Sequence, residues 1–430
     1  MKKNQSLTLL LLSVFSLLLL SACTPKGQEP GTTSDNSAPG VVQAAKKIIL
    51  MTNDTTFPGF EEYRKAAEAA TGLTIETITS PSNSTDRLSK ITTILSSGDD
   101  SVDIIAIDDE MMSQYKSAGF LEPLQETVMT PDIFSNFQTE YMKARTMVGE
   151  NIYSVPMYTE ILAYWIDEAK VKSAGLEASP KNLDEFMQFV SANSGDQKFG
   201  YGGAWEKTYV FNEIGTFVNL FGGDYLDWTN PNSRKAVEFM YDLLKDGYTA
   251  KAQLADQYDP MMQKMFDGTY ASLFMYTGAL QTFIDSGKYG PDGIHMAPMP
   301  TFERNTAYMA SWHYVLNKES KNKEAAIEFL KWAASPDGEK AYFAMCSRMP
   351  ARKDVVLDPT FEATGVEDFR QYLENTTLLA RDMAPQAMEF ISAIGSLFQQ
   401  YVSDEITLDA FCEQAQKEVE TRLVDRKSVV

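Results

Sequence analysis

Carboxylates recur in this chain where apolar runs begin or end. Ile48-Ile49-Leu50-Met51 leads to Asp54, Ile104-Ile105-Ala106-Ile107 leads to Asp108-Asp109-Glu110, and Glu160 stands directly before Ile161–Ile166. A buried, unpaired carboxylate is costly, so these groups face water or a partner. Three adjacent acids at one strand end repel one another and invite a hydroxyl, a cation or water. Aromatic residues sit at comparable breaks: Tyr158, Trp205 beside Glu206, Tyr276 and Trp312. A carboxylate accepts from a hydroxyl and an aromatic plane takes an apolar C–H face, so the combination suits a sugar ring. Arg348 would fix a carboxylate or neutralise the acids. The same set would also hold a polyamine or other cation through ion pairs and cation–π contacts. Each residue has a plainer alternative too: the acidic triplet as a solvated loop, Tyr158 and Glu160 as loop decoration, Trp205 as a core anchor.

Composition removes several classes. There are 38 basic and 59 acidic residues, a net charge of −21, and such a surface repels nucleic acid. The cysteines are Cys23, Cys346 and Cys412 and the histidines His295 and His313, too few for a zinc-like ligand set. Cys346 and Cys412 could pair in an exported protein, but two free thiols is the simpler reading. The Gly200, Gly202 and Gly203 run lacks the Gly-Lys-Ser/Thr that would make it a phosphate loop. A secreted glycosidase would supply two carboxylates about 5–9 Å apart. With no nucleophile elbow, His-based constellation or cofactor motif, no catalytic residue, metal or cofactor is expected.

The elements that must position these groups alternate. Lys46–Thr52, Leu73–Ile78 and Val102–Ile107 read as strands, separated by helices striped by Phe60, Tyr63 and Ala67 and by Leu88, Ile91, Ile94 and Leu95. Strand-helix-strand alternation predicts a parallel sheet covered on both faces, with ligands at the carboxyl ends of its strands. Ile152–Pro156 and Ile161–Ile166 flank Met157-Tyr158-Thr159-Glu160, a segment that leaves one packed layer for another. Pro298-Met299-Pro300 predicts a second crossing, Tyr308–Leu316 a strand entry, and the sequence after Arg352 helix to the end.

Residues 1–22 pair Lys2 and Lys3 with an apolar run, Leu7–Leu20, too short to span a membrane. Leu20-Ser21-Ala22-Cys23 resembles a bacterial lipobox, which implies cleavage before Cys23 and its lipidation, and 23–45 reads as a disordered tether. The later motifs follow the order of the family 1 extracellular solute-binding proteins of ABC importers, the maltose-binding-protein-like group. They are Val102–Asp109, Ala118–Leu124, Ile152–Pro156 with Tyr164–Asp167, Phe266-Asp267-Gly268, Pro298-Met299-Pro300, and Asn322–Leu330 before Ser335-Pro336. The resemblance implies an α/β, two-lobe periplasmic-binding-protein-like fold (type II) with crossing segments as hinge. It places 46–157 plus 305–350 in lobe 1 and 160–303 plus 355–430 in lobe 2. It further implies a monomer, lipid-anchored at the outer face of the membrane, that hands a solute, a carbohydrate by this resemblance, to permease subunits. Its ligand would touch Asp54, Asp108, Asp109, Glu110, Tyr158, Glu160, Trp205, Glu206, Tyr276, Trp312 and Arg348.

Overall fold

The computed structural model describes residues 46–381, 383 and 387–424, apart from the side chains at 84, 85, 423 and 424. Cys23, the leader and the tether lie outside these residues. In chain order the strands are β1 (Lys47–Thr52), β2 (Thr74–Thr79), β3 (Ile104–Asp108), β4 (Met147–Val148), β5 (Asn151–Ile152) and β6 (Val155–Pro156). They continue with β7 (Glu160–Asp167), β8 (Ser272–Tyr276), β9 (Ile294–Ala297), β10 (Thr306–Ala310), β11 (Trp312–Leu316) and β12 (Thr377–Ala380).

The first sheet runs β2-β1-β3-β11-β6, with β1, β2 and β3 parallel and β11 antiparallel to β3. Its strands are apolar on both faces because helices cover both. Ile48, Leu50, Ile104 and Ala106 enter one core cluster, while the intervening Met51, Ile105 and Ile107 enter another. That two-residue period is the pleat read directly from the sequence. The helix Phe60–Thr71 covers one side with Phe60, Tyr63 and Ala67 and ends at Gly72, whose φ of 70° is a left-handed cap.

The second sheet runs β12-β10-β7-β8, with β9 also paired to β7. One large cluster fills this lobe, rich in rings such as Trp165 stacked on Phe283 with centroids 4.1 Å apart. The architecture is two-lobed and α/β, each lobe carrying its own sheet.

Three segments pass between the sheets. Met157-Tyr158-Thr159 links β6 to β7, Ser311 links β10 to β11, and the turn after the helix Pro336–Cys346 returns toward the second lobe. They are tied side by side: Met157 N–H donates to Trp312 O (2.8 Å), Thr159 N–H to Met349 O (2.8 Å), and the Ser311 hydroxyl to Tyr158 O (2.6 Å). Two sequence boundaries shift here. Tyr308–Leu316 is two strands in different sheets, so the crossing lies at Ser311 rather than before 305. The region after Arg352 is not all helix, since β12 adds a strand beside β10. Local rules held unevenly at helix starts. Asn182 accepts from Glu185 N–H (2.9 Å), whereas Asn322 turns away from its helix and donates to Asp103. Cys346 and Cys412 are free thiols in different lobes, Cys412 in the core of the second and Cys346 partly buried against the core of the first.

Candidate ligand cavity

A cavity of about 960 Å³ opens where the carboxyl end of β3 faces the second lobe. Its first wall follows from one cap. Asp108 ends β3 and accepts from Met111 N–H (3.2 Å), so Asp109 and Glu110 fall in the first turn of the helix Asp109–Ala118. Asp108, Asp109 and Glu110 all line the cavity, with Trp312 from the neighbouring strand β11.

The acidic triplet is answered by arginines from within the protein. Arg87 reaches Asp108 (2.8 Å), and Arg381, just after β12, reaches Glu110 (2.7 Å) and Asp109 (3.4 Å). Arg381 therefore joins a segment that follows the second sheet to the wall of the first lobe. Arg145 stands 3.7 Å from Asp109 and donates to the Arg381 carbonyl. Burial pushes the Asp108 carboxyl up to about 7, with repulsion from Glu110 adding to it and Arg87 opposing. At Asp109 burial pushes the same way, but the His313 contact and the Arg145 and Arg381 charges prevail and hold it well below the usual range.

His313 lies behind this wall, with Nε2 3.1 Å from Asp109 Oδ1 and Nδ1 3.1 Å from Ser154 Oγ. Sequence spacing gave no hint of this Ser-His-Asp line. Ser154 and His313 are fully buried and do not line the cavity, so no substrate reaches the hydroxyl and the set works as a structural network.

The opposite wall comes from the second lobe. Glu160, Tyr276, Tyr209, Tyr258 and Asn212 line it, and the Tyr276 hydroxyl donates to Asn212, which donates to Tyr258. Gly278 has no side chain because Glu160 occupies the space: a Cβ there would meet its Oε1 at 1.9 Å. Burial pushes the Glu160 carboxyl up while Arg348, 4.0 Å away, opposes it.

The sequence-derived residues thus divide. Asp108, Asp109, Glu110, Glu160, Tyr276 and Trp312 share the cavity. Asp54, Tyr158 and Arg348 gather instead beside the crossing segments: the Arg348 guanidinium lies over the Phe57 and Tyr158 rings, and Asp54 accepts from Tyr342. Trp205 is in the core of the second lobe, where its indole N–H donates to Glu213 (2.8 Å) and Phe398 meets it edge-on, so the core-anchor alternative is the one observed. Glu206 caps its own turn by accepting from Thr208. Sequence reasoning missed Arg87, Arg381, Asn212, Tyr209 and Tyr258. None carried a local signal: Arg381 follows β12, a strand in a stretch the sequence reads as helix. Among the described residues no group of three or more His, Cys, Asp or Glu is arranged to hold a metal.

The profile of the bacterial extracellular solute-binding protein family matches residues 54–340. The chain belongs to this family. It is accordingly a solute-binding protein and not an enzyme. Among curated relatives, an erythritol/L-threitol-binding protein of Mycolicibacterium smegmatis is 22% identical, over 84% of this chain and 82% of its own. A probable amino-acid ABC transporter periplasmic-binding protein of Sinorhizobium fredii is 21% identical, over 75% and 76%. In the fold, maltose-bound MalE3 of T. maritima superposes with a TM-score of 0.73 at 19% identity, covering 87% of this chain and 99% of its own. A Thermotoga lettingae solute-binding protein bound with α-D-tagatose superposes with 0.75 at 19%, covering 88% and 100%.

Proposed function

We propose that this protein captures a neutral, hydroxyl-rich solute, a sugar or sugar alcohol, between its lobes and delivers it to the permease of an ABC importer. The observation that carries this is internal neutralisation. Asp108, Asp109 and Glu110 are each paired with an arginine, and two arginines also cover the aromatic rings a cation would use. Arg87 lies 4.8 Å over Trp312 and Arg381 5.8 Å from the Tyr276 centroid. A polyamine would have to displace these contacts, whereas paired carboxylates keep lone pairs for hydroxyls. The names of several relatives agree, since maltose, tagatose, ribitol and erythritol or threitol are all neutral.

The three tied crossings would act as the hinge, closing the lobes over the solute. Cys23 would hold the protein to the outer face of the membrane as a monomer, a role that rests on the sequence. The test is thermal unfolding of the soluble chain from Ala45 against saccharides, sugar alcohols, polyamines and amino acids. A solute at ~100 times its dissociation constant should add about 2.7 kcal/mol. Stabilisation by a saccharide or sugar alcohol is expected, and stabilisation by polyamines or amino acids alone would overturn the proposal.

A further inference from the structure

Arg87 stands where a cation is least expected. Asn83 caps the helix Ser84–Ser97 by accepting from Asp86 N–H (3.1 Å), and Arg87 N–H closes the first turn on Asn83 O (3.0 Å). Backbone N–H groups make that end of a helix positive, so a buried guanidinium there is disfavoured unless other groups hold it. Arg87 is nevertheless only 6% exposed, and it lines the cavity.

What holds it is spread over three elements. Nη1 donates to Pro81 O (3.2 Å) and Ser82 O (2.9 Å) in the loop after β2, and Nη2 donates to Asp108 (2.8 Å) at the end of β3. The guanidinium also lies 4.8 Å from the ring centroid of Trp312, the residue opposite Asp108 on β11. One face of the indole is therefore covered by protein. Asp108 accepts at both oxygens, from Arg87 and from Met111 N–H (3.2 Å), which fixes its plane as well. A lysine would supply the charge but neither the flat stack nor the fork of donors.

Building on the proposed capture of a neutral solute, we infer that Arg87 is a positioning residue for that solute: its plane backs the Trp312 ring, its charge anchors Asp108, and their ion pair is a pH-sensitive clasp on the cavity wall. The charged groups facing Asp108 are Arg87 and, from the following helix, Glu110, with the Tyr115 hydroxyl also nearby. Burial and Glu110 push the Asp108 carboxyl up to about 7 against the pull of Arg87. As pH falls through that value Asp108 takes a proton, Arg87 loses its counter-charge, and the indole loses its backing. Solute affinity then falls. Without the Arg87 charge the same fall comes at higher pH.

The experiment is calorimetric titration of the full chain with glucose, maltose, xylose, tagatose, ribitol and erythritol, from about pH 5.5 to about pH 8.5. For whichever binds, affinity should drop about tenfold toward the acid end, with a midpoint near about 7. Arg87→Gln should move that midpoint up by about one pH unit or more. Arg87→Lys keeps the charge, so it should leave the midpoint in place, weaken binding about tenfold at the alkaline end and alter a near-ultraviolet dichroism band that Trp312→Phe abolishes. Asp108→Asn should flatten the profile, which separates Asp108 from Glu160 across the cavity. A flat profile in the unsubstituted chain, or a midpoint that Arg87→Gln leaves unmoved while weakening binding equally at every pH, would overturn the inference and leave the sugar or sugar-alcohol role standing. Should Arg87→Gln fail to fold, unchanged affinity and dichroism in Arg87→Lys would overturn it instead. Binding of none of these solutes at any pH would overturn both.

Discussion

Asp109 and Glu213 are both buried carboxylates that accept several hydrogen bonds, yet their acidities move in opposite directions. Asp109 accepts from Tyr141 and has His313, Arg145 and Arg381 around it, and it is held well below the usual range. Glu213 accepts from Tyr201, from Trp205 (2.8 Å) and from Ala204 N–H (2.7 Å), with no cation, and burial pushes it up to about 7. Neutral donors alone do not offset desolvation here, and nearby cations do. Position matters too. Asp109 is held partly by Arg381, which follows the second sheet, whereas the Glu213 partners all belong to one lobe. Charge at Asp109 therefore depends on how the lobes meet, and charge at Glu213 does not.

The comparison breaks most visibly at its cationic end. Asp109→Asn leaves Arg145 and Arg381 buried beside a neutral group, and we expect a loss of about 3–5 kcal/mol in denaturant unfolding. A loss below 1 kcal/mol would mean that the arginines are satisfied elsewhere.

Glu213 gives the next largest effect and depends on pH. Its carboxyl has a higher pKa in the folded chain, about 7, than its ordinary 4.5. The folded state therefore binds more protons between those values. This contribution is fully present below 4.5 and is lost as pH rises through about 7, a change of up to about 3 kcal/mol. Glu213→Gln should flatten that slope, so the stability gap to the unmodified protein is widest near pH 5 and narrows by pH 8. A gap that widens with pH would place Glu213 in the same class as Asp109.

Two tryptophans sharpen the contrast at lower cost. Trp205→Phe removes a donor to Glu213 and should cost about 1–2 kcal/mol of stability without changing solute affinity. Trp312→Ala, at the Asp109 wall, should weaken by tenfold or more, about 1.4 kcal/mol, whichever solute stabilises the protein. Calorimetry with both variants separates core from cavity, and an affinity loss in the Trp205 variant would reverse their assignment.

The strands of the first sheet were legible because apolar runs such as Ile104–Ile107 are buried on both faces. The acidic triplet was legible as a cavity wall because capping by Asp108 turns the residues after β3 into a helix. The partners of those acids were not, because an arginine's reach across the chain leaves no local pattern. Trp205 was ambiguous for a physical reason: an indole with a polar edge serves a cleft or a buried carboxylate equally well. The break at Ser311 was hidden because both flanking strands are apolar and a single serine carries the turn.

The Arg381 carbonyl accepts from Arg145 across 236 positions of sequence. A chain that emerges N-terminus first therefore presents Glu110 long before Arg381, its cation, exists. The cavity wall therefore cannot be completed until the chain beyond β12 has been made. Until then, the protein can hold a largely formed first sheet and still be blind to its solute, and truncation before Arg381 should release a chain that folds in part and binds nothing.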